Sequence, residues 1–81
     1  MDHCSVFIYN DGDNAVYLHD SKEKAIDEIK GALDAMMSMY PAPAFNSCLT
    51  TVSDTQWRLH IEDVENGTEW SVIAAVARVY A

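Results

Sequence analysis

"WRLHIEDVENGTEWSVIAAV" (57–76) decides the fold, because it combines a strand pattern with a turn signal. Apolar side chains at 57, 59 and 61 alternate with polar ones at 58, 60 and 62, the period-two pattern of a half-buried strand. Asn66-Gly67 is the pair most typical of a two-residue type I′ turn, in which both residues have positive φ. The sequence therefore predicts a β-hairpin.

A two-residue turn would also fix which residues of the two strands face each other. The predicted cross-strand pairs are Asp63–Trp70, Ile61–Val72, Leu59–Ala74 and Trp57–Val76. One face of the hairpin is then strongly apolar, and we expect it to lie against a helix. The other face is polar on the first strand but apolar on the last, at Ile73, Ala75, Ala77 and Val79. A strand apolar on both sides is typically central in its sheet or covered by another chain, although residues 72–81 could instead form a helix.

The segment "DSKEKAIDEIKGALDAMMSMY" (20–40) predicts the only helix. Apolar residues at 26, 29, 33, 36, 37 and 40 recur at spacings of three and four and form one stripe. Asp20 is the predicted N-cap, and Glu23 completes a capping box. Gly31 costs about 1 kcal/mol in mid-helix unless its backbone is closely packed. Pro41 ends the helix.

Three further segments are rich in β-branched and aromatic residues: "CSVFIY" (4–9), "AVYLH" (15–19) and "FNSCLTTVS" (45–53). The first two are joined by turn-forming residues, "NDGDN", and predict a second hairpin. The order β-β-α-β-β-β indicates a single α+β domain over residues 1–81. We expect two layers, an antiparallel sheet of four to five strands with one helix packed on one face.

Negative charge is concentrated in the two predicted hairpins. The net charge is −8 with only five Lys and Arg, which disfavours direct binding to nucleic acid. Exposed turns are often acidic for solubility alone, and that remains one interpretation. The other is that the acidic side chains contact a basic surface on another protein, with Tyr17 or Trp70 as an aromatic anchor. The residues predicted to bind this partner are Asp11, Asp13, Glu62, Asp63, Glu65 and Glu69.

In size, acidity and single-helix layout, with the acidic turns "NDGDN" and "DVENGTE", the chain resembles small phage-encoded inhibitors of the anti-CRISPR type. Acidic immunity proteins and antitoxins have a similar profile. The resemblance implies a non-catalytic inhibitor that occludes a basic, nucleic-acid-handling protein such as a CRISPR effector or nuclease. The alternative is a structural or assembly protein that self-associates, as a homodimer for example, through Ile73, Ala75, Ala77 and Val79.

Residues with catalytic or metal-binding potential are few and scattered. His3, His19 and His60 show no local ligand spacing, and there is no Gly-rich phosphate loop. Cys4 and Cys48 are expected to be small buried thiols. We therefore expect no enzymatic activity, cofactor or metal, while a site assembled in space from the cysteines with His3 and His60 stays open.

The chain shows no signal for a membrane or for secretion. Its longest apolar run, Val72–Ala77, is far shorter than the roughly 20 residues of a membrane helix. The first residues, "MDHCSVFIYND", lack the basic region of a secretory signal. We expect a cytoplasmic protein.

Overall fold

The computed structural model describes residues 2–79, which form one helix and one antiparallel sheet. The elements are β1 (His3–Tyr9), β2 (Asn14–His19), α1 (Lys22–Met39), β3 (Phe45–Ser53), β4 (Gln56–Asp63) and β5 (Thr68–Arg78). The five strands are arranged in the order β2-β1-β5-β4-β3. The predicted α+β class and element order are confirmed. The last segment is a central strand through Arg78, so the helical alternative is wrong there, and residues 80 and 81 lie outside the described part.

The helix lies on one face of the sheet, mainly over β1, β2 and β5. Its buried side chains are Ala25, Ile29 and Leu33, and the other apolar residues of the predicted stripe are partly buried at its edges. The alternation predicted for β4 and β5 is confirmed, since the helix side of both strands is apolar. The buried core consists of Phe7, Ile29, Leu33, Trp57, Leu59, Ile61, Val72 and Ala74.

The predicted pairing of β4 with β5 is wrong by two residues. The loop is Val64–Gly67, four residues long, and Asn66 does not have the positive φ that a type I′ turn requires. Only Gly67 does, at 69°. The observed pairs are Asp63–Thr68, Ile61–Trp70, Leu59–Val72 and Trp57–Ala74. Because a shift of two keeps every side chain on its face, the predicted core survives the error.

The helix begins one residue later than predicted. Ser21, not Asp20, is the N-cap, and its Oγ accepts a hydrogen bond from the Lys24 N–H at 3.2 Å. Asp20 instead forms an ion pair with the Lys24 ammonium, at 3.6 Å. The predicted capping box is therefore wrong, because Glu23 is only two residues from the true cap.

Candidate functional site at the acidic end of the sheet

Both acidic turns lie at the same end of the sheet. Strands β1 and β4 flank β5 and run antiparallel to it, so the loop leaving β1 and the loop entering β5 are neighbours. Tyr9, the last residue of β1, pairs with Val72, and the Asn10 N–H donates to the Ser71 carbonyl at 3.1 Å. The six predicted partner-binding residues are thus brought together. We call Asp11, Asp13, Glu62, Asp63, Glu65 and Glu69 the acidic end.

The acidic end carries most of the net charge of the protein. Its six carboxylates contribute −6 of the −8, since the remaining seven acids nearly balance five Lys and Arg. Asp63 is partly buried and the other five are exposed. The carboxyl end of α1 is here too, because Tyr40 packs edge-on against Phe45 and Trp70. The last turn of α1 has no basic residue, so its partial negative charge adds to the field.

Asp63 organises the turn between β4 and β5. One oxygen of its carboxylate, Oδ1, accepts the N–H groups of Glu65 and Asn66, both at 3.1 Å, and Oδ2 accepts the Asn66 side-chain amide at 2.8 Å. Its carbonyl accepts the Gly67 N–H at 2.9 Å. The bonds from the Asn66 side chain and backbone hold the pKa of Asp63 below its usual value of 3.8, because they favour the charged carboxylate.

Two more of the six carboxylates have local partners. Asp11 Oδ1 accepts the Asp13 N–H at 2.9 Å in the loop where Gly12 has a φ of 95°. Glu69 Oε2 lies 3.2 Å from His60 Nε2. Turn geometry therefore accounts for part of the clustering. Among residues 2–79, no such partner is found for the side chains of Asp13, Glu62 and Glu65, which leaves them available to another molecule.

Glu62 and Glu69 face each other directly across β4 and β5. Both are exposed. Like charges in this position destabilise a sheet by a few tenths of a kcal/mol. Sequence reasoning missed the pair because it depends on the four-residue loop.

An aromatic cleft of about 220 Å³ adjoins the acidic end. Its lining residues are Tyr9, Asn10, Asp11, Tyr40 and Trp70. Partial burial, followed by the nearby Tyr17 and Asp11, raises the pKa of Tyr9 above its ordinary value of 10. Trp70 is half-buried against Tyr40, so it belongs partly to the core and partly to this cleft. Tyr17 packs edge-on against Phe7 instead, at 6.1 Å.

A larger cleft of about 530 Å³ opens between the helix and β3. It exists because α1 lies over the other side of the sheet and leaves the helix-facing side of β3 uncovered. Its lining includes the apolar Ile26, Leu33, Leu49 and Trp57, while Lys30, Asp34 and Asp54 are its ionisable residues. The sequence carried no signal for this cleft, since it follows from where the helix crosses the sheet.

The histidines and cysteines do not converge on one site. Cys48 lies opposite His60 across β3 and β4, whereas Cys4 is on β1, beyond β5. Within the described residues no three His, Cys, Asp or Glu side chains are placed to hold a metal ion. Cys4 is buried as predicted, but Cys48 is exposed because β3 is an edge strand. Ser5 is fully buried, and its hydroxyl is hydrogen-bonded to His19 Nε2 at 3.1 Å.

Comparisons with known proteins found no relative of this chain. No protein-family model matches the chain, and no similar protein was found among curated sequences or solved structures. In the part of the chain that the structure describes, the helix is not long and apolar enough to cross a membrane.

Proposed function

We propose that this protein is a non-catalytic inhibitor that binds a basic surface of a nucleic-acid-handling protein, such as a CRISPR effector or nuclease, through its acidic end. The observation that supports this proposal is the meeting of both acidic turns at one end of the sheet, with a charge of −6 and no Lys or Arg among them. A surface that binds phosphates is rich in Lys and Arg, and carboxylates complement it in the same way. The protein would act in the cytoplasm of a phage-infected bacterium.

The like-charged pair on β4 and β5 gives binding an energetic advantage. Glu62 and Glu69 repel each other in the free protein, and a Lys or Arg of the partner between them would relieve that repulsion. Residues that are unfavourable for stability and favourable for binding are common at functional surfaces. The exposed carboxylates would mainly increase the association rate, while the aromatic cleft with Trp70 would supply apolar contact.

Charge reversal at the acidic end tests this proposal. We would compare the native protein with the triple variant Asp13→Lys, Glu62→Lys, Glu65→Lys in pull-downs from a bacterial lysate at low and moderate salt. The variant spares Asp63 because that side chain holds the turn. The expected result is that a basic nucleic-acid-binding protein is retained by the native chain and lost by the variant. A purified partner should then lose nucleic-acid binding when the native protein is added.

The matched control is the triple variant Asp27→Lys, Glu28→Lys, Asp34→Lys, which changes the net charge equally on the exposed side of α1. It should bind the partner at most a fewfold more weakly, because its charges lie away from the acidic end. Equal loss of binding in both variants would show that net charge alone matters and would contradict the proposal. Retention of the partner by the acidic-end variant would contradict it as well.

A further inference from the structure

The aromatic cleft beside the acidic end lies on the helix side of the sheet, where β1 ends and β5 begins. Three of its five lining residues are aromatic, and one, Asp11, carries a carboxylate. Its volume of about 220 Å³ is below the roughly 300–1,000 Å³ of sites that enclose a whole drug-sized ligand. The cleft therefore has room for one side chain or head group of a larger molecule.

The aromatic cleft is separate from the residues that the sequence predicted for self-association. Because side chains alternate along β5, Ile73, Ala75 and Ala77 lie on the opposite side of the sheet from the helix, and Val79 follows the end of the strand. A group bound in the cleft and a second chain on that opposite side would not exclude each other.

The aromatic rings of the cleft form walls that suit a cation. The ring centroids of Tyr40 and Trp70 are 5.4 Å apart and their planes meet at 69°, so the two rings stand at a steep angle to each other. Tyr9 lines the cleft from the end of β1. The face of an aromatic ring attracts a cation that lies within about 6 Å of its centroid. An apolar group would also contact such rings, so the charge around the cleft decides between the two.

The charge around the cleft favours a cation. Asp11 is exposed, and its Oδ1 accepts the Asp13 N–H, but among residues 2–79 its Oδ2 has no hydrogen-bond partner. Tyr40 is the C-cap of α1, so the negative end of the helix dipole adjoins the cleft, and the last turn has no basic residue. No Lys or Arg of the described chain lines the cleft. The cleft is thus negative and has no cation of its own.

We propose that the aromatic cleft binds the guanidinium group of an arginine side chain. A guanidinium is flat and weakly hydrated, stacks on aromatic rings and donates N–H groups to a carboxylate. Its plane would lie against the rings while its N–H groups donate to Asp11 Oδ2. The ammonium of a lysine is compact and strongly hydrated, so it loses more hydration on entering the cleft. That the arginine belongs to a basic partner rests on the function proposed above, whereas the guanidinium site itself does not.

Titration of the native protein with N-acetyl-arginine amide, followed by NMR, tests the site without any partner. The indole N–H signal of Trp70 should shift, with a dissociation constant on the order of 1–10 mM for a single side chain. The indole N–H signal of Trp57 should not move, because Trp57 is buried and lines the other cleft. N-acetyl-citrulline amide has the same shape without the charge. It should bind about tenfold more weakly, since the attraction to the rings and to Asp11 both need a cation.

A matched pair of variants tests the role of the carboxylate. Asp11→Asn keeps the shape of the side chain and an oxygen that accepts the Asp13 N–H, but it removes the charge. We expect the dissociation constant of the arginine probe to rise about fivefold. Asp13→Asn changes the net charge equally two residues away, outside the lining of the cleft, and should raise it less than about twofold. Far-UV circular dichroism should be unchanged in both variants, since both residues are exposed.

Three results would overturn the proposal: an unmoved Trp70 signal at the highest arginine concentration, equal binding of the arginine and citrulline probes, or equal weakening by the two variants. The pull-down described above answers a separate question. Binding of the arginine probe with no partner retained from the lysate would support the site and contradict the proposed function. A retained partner with an unmoved Trp70 signal would support the proposed function and contradict the site.

Discussion

The two ends of the sheet handle their acidic residues differently. At the end where α1 begins, carboxylates have cationic or histidine partners: Asp54 lies 3.8 Å from Lys22, Asp20 lies 3.6 Å from Lys24, and Asp2 is bonded to His3. At the acidic end, Asp63 and Asp11 bond to backbone N–H groups of their own turns instead. At the first end the carboxylates lie beside Lys or His side chains. At the acidic end, apart from Glu69 beside His60, the carboxylates shape loops or are left exposed.

This difference separates carboxylates that the fold needs from carboxylates that are available to another molecule. A carboxylate that accepts backbone hydrogen bonds is needed by the fold, whatever else it does. A carboxylate such as Glu65, which has no such bond among the described residues, can be changed without loss of structure. The following predictions test that division.

The largest effect is expected for Asp63→Ala. The substitution removes three hydrogen bonds that close the turn between β4 and β5, two from backbone N–H groups and one from Asn66. We expect the melting temperature to fall by more than about 5 °C. At the opposite end, Lys24→Ala breaks only an exposed ion pair and should change the melting temperature by less than about 2 °C. Thermal unfolding followed by circular dichroism measures both, and equal shifts would show that the division is wrong.

The hydrogen bonds of the Asp63 carboxylate also predict how stability depends on pH. The pKa of Asp63 is lower in the folded protein than in the unfolded chain, so its contribution to stability is complete above pH 3.8. It is lost as the pH falls through the lower, folded pKa. NMR titration of the Asp63 carboxyl should therefore have its midpoint below 3.8, and in Asn66→Ala the midpoint should move up.

Gly31→Ala should stabilise the helix that connects the two ends. Gly31 is exposed in mid-helix, its φ is not positive, and an added Cβ would have no atom within 4 Å. We expect the free energy of unfolding to rise by about 1 kcal/mol. The same substitution at Gly67, where φ is 69°, should lower it. Urea denaturation compares the two, and a loss of stability in Gly31→Ala would contradict the expectation.

A smaller gain in the free energy of unfolding is expected for Glu62→Lys. The change converts the like-charged pair with Glu69 into an ion pair and should add a few tenths of a kcal/mol. The control Glu65→Lys changes a turn residue that has no cross-strand partner in the described part of the chain, so it should leave stability unchanged. The proposed function requires that Glu62→Lys also weakens partner binding. A variant that is more stable and binds equally well would leave the like-charged pair without a role.

The sequence predicts the fold here because periodicity and turn composition agree. Alternation at 57–62 and the helical stripe at 26–40 depend only on which side chains are apolar, and each identifies a buried face correctly. The pairing of β4 with β5 depends on φ at a single residue, Asn66, and the sequence does not determine that angle. The carboxylate of Asp63 favours the longer loop because it captures two N–H groups within it.

The candidate site was predictable only as a list of residues. The acidic turns are visible in the sequence, but their meeting at one end follows from β5 lying between β1 and β4. The clefts depend likewise on where the helix crosses the sheet. Cys48 was expected to be buried, and it is exposed because β3 is at the edge. Strand order is set by long-range packing, which local sequence patterns do not encode.

The edge position of β3 also governs how the molecule opens. This nine-residue strand has no charged side chain, pairs only with β4 among residues 2–79, and lies largely outside the cover of the helix. Local unfolding starts where few apolar contacts hold a segment. Backbone amides of β3 should therefore exchange with solvent hydrogen well before those of β1 and β5. Each such opening leaves the N–H and C=O groups on the β3 side of β4 unpaired, so the route to global unfolding begins at this edge.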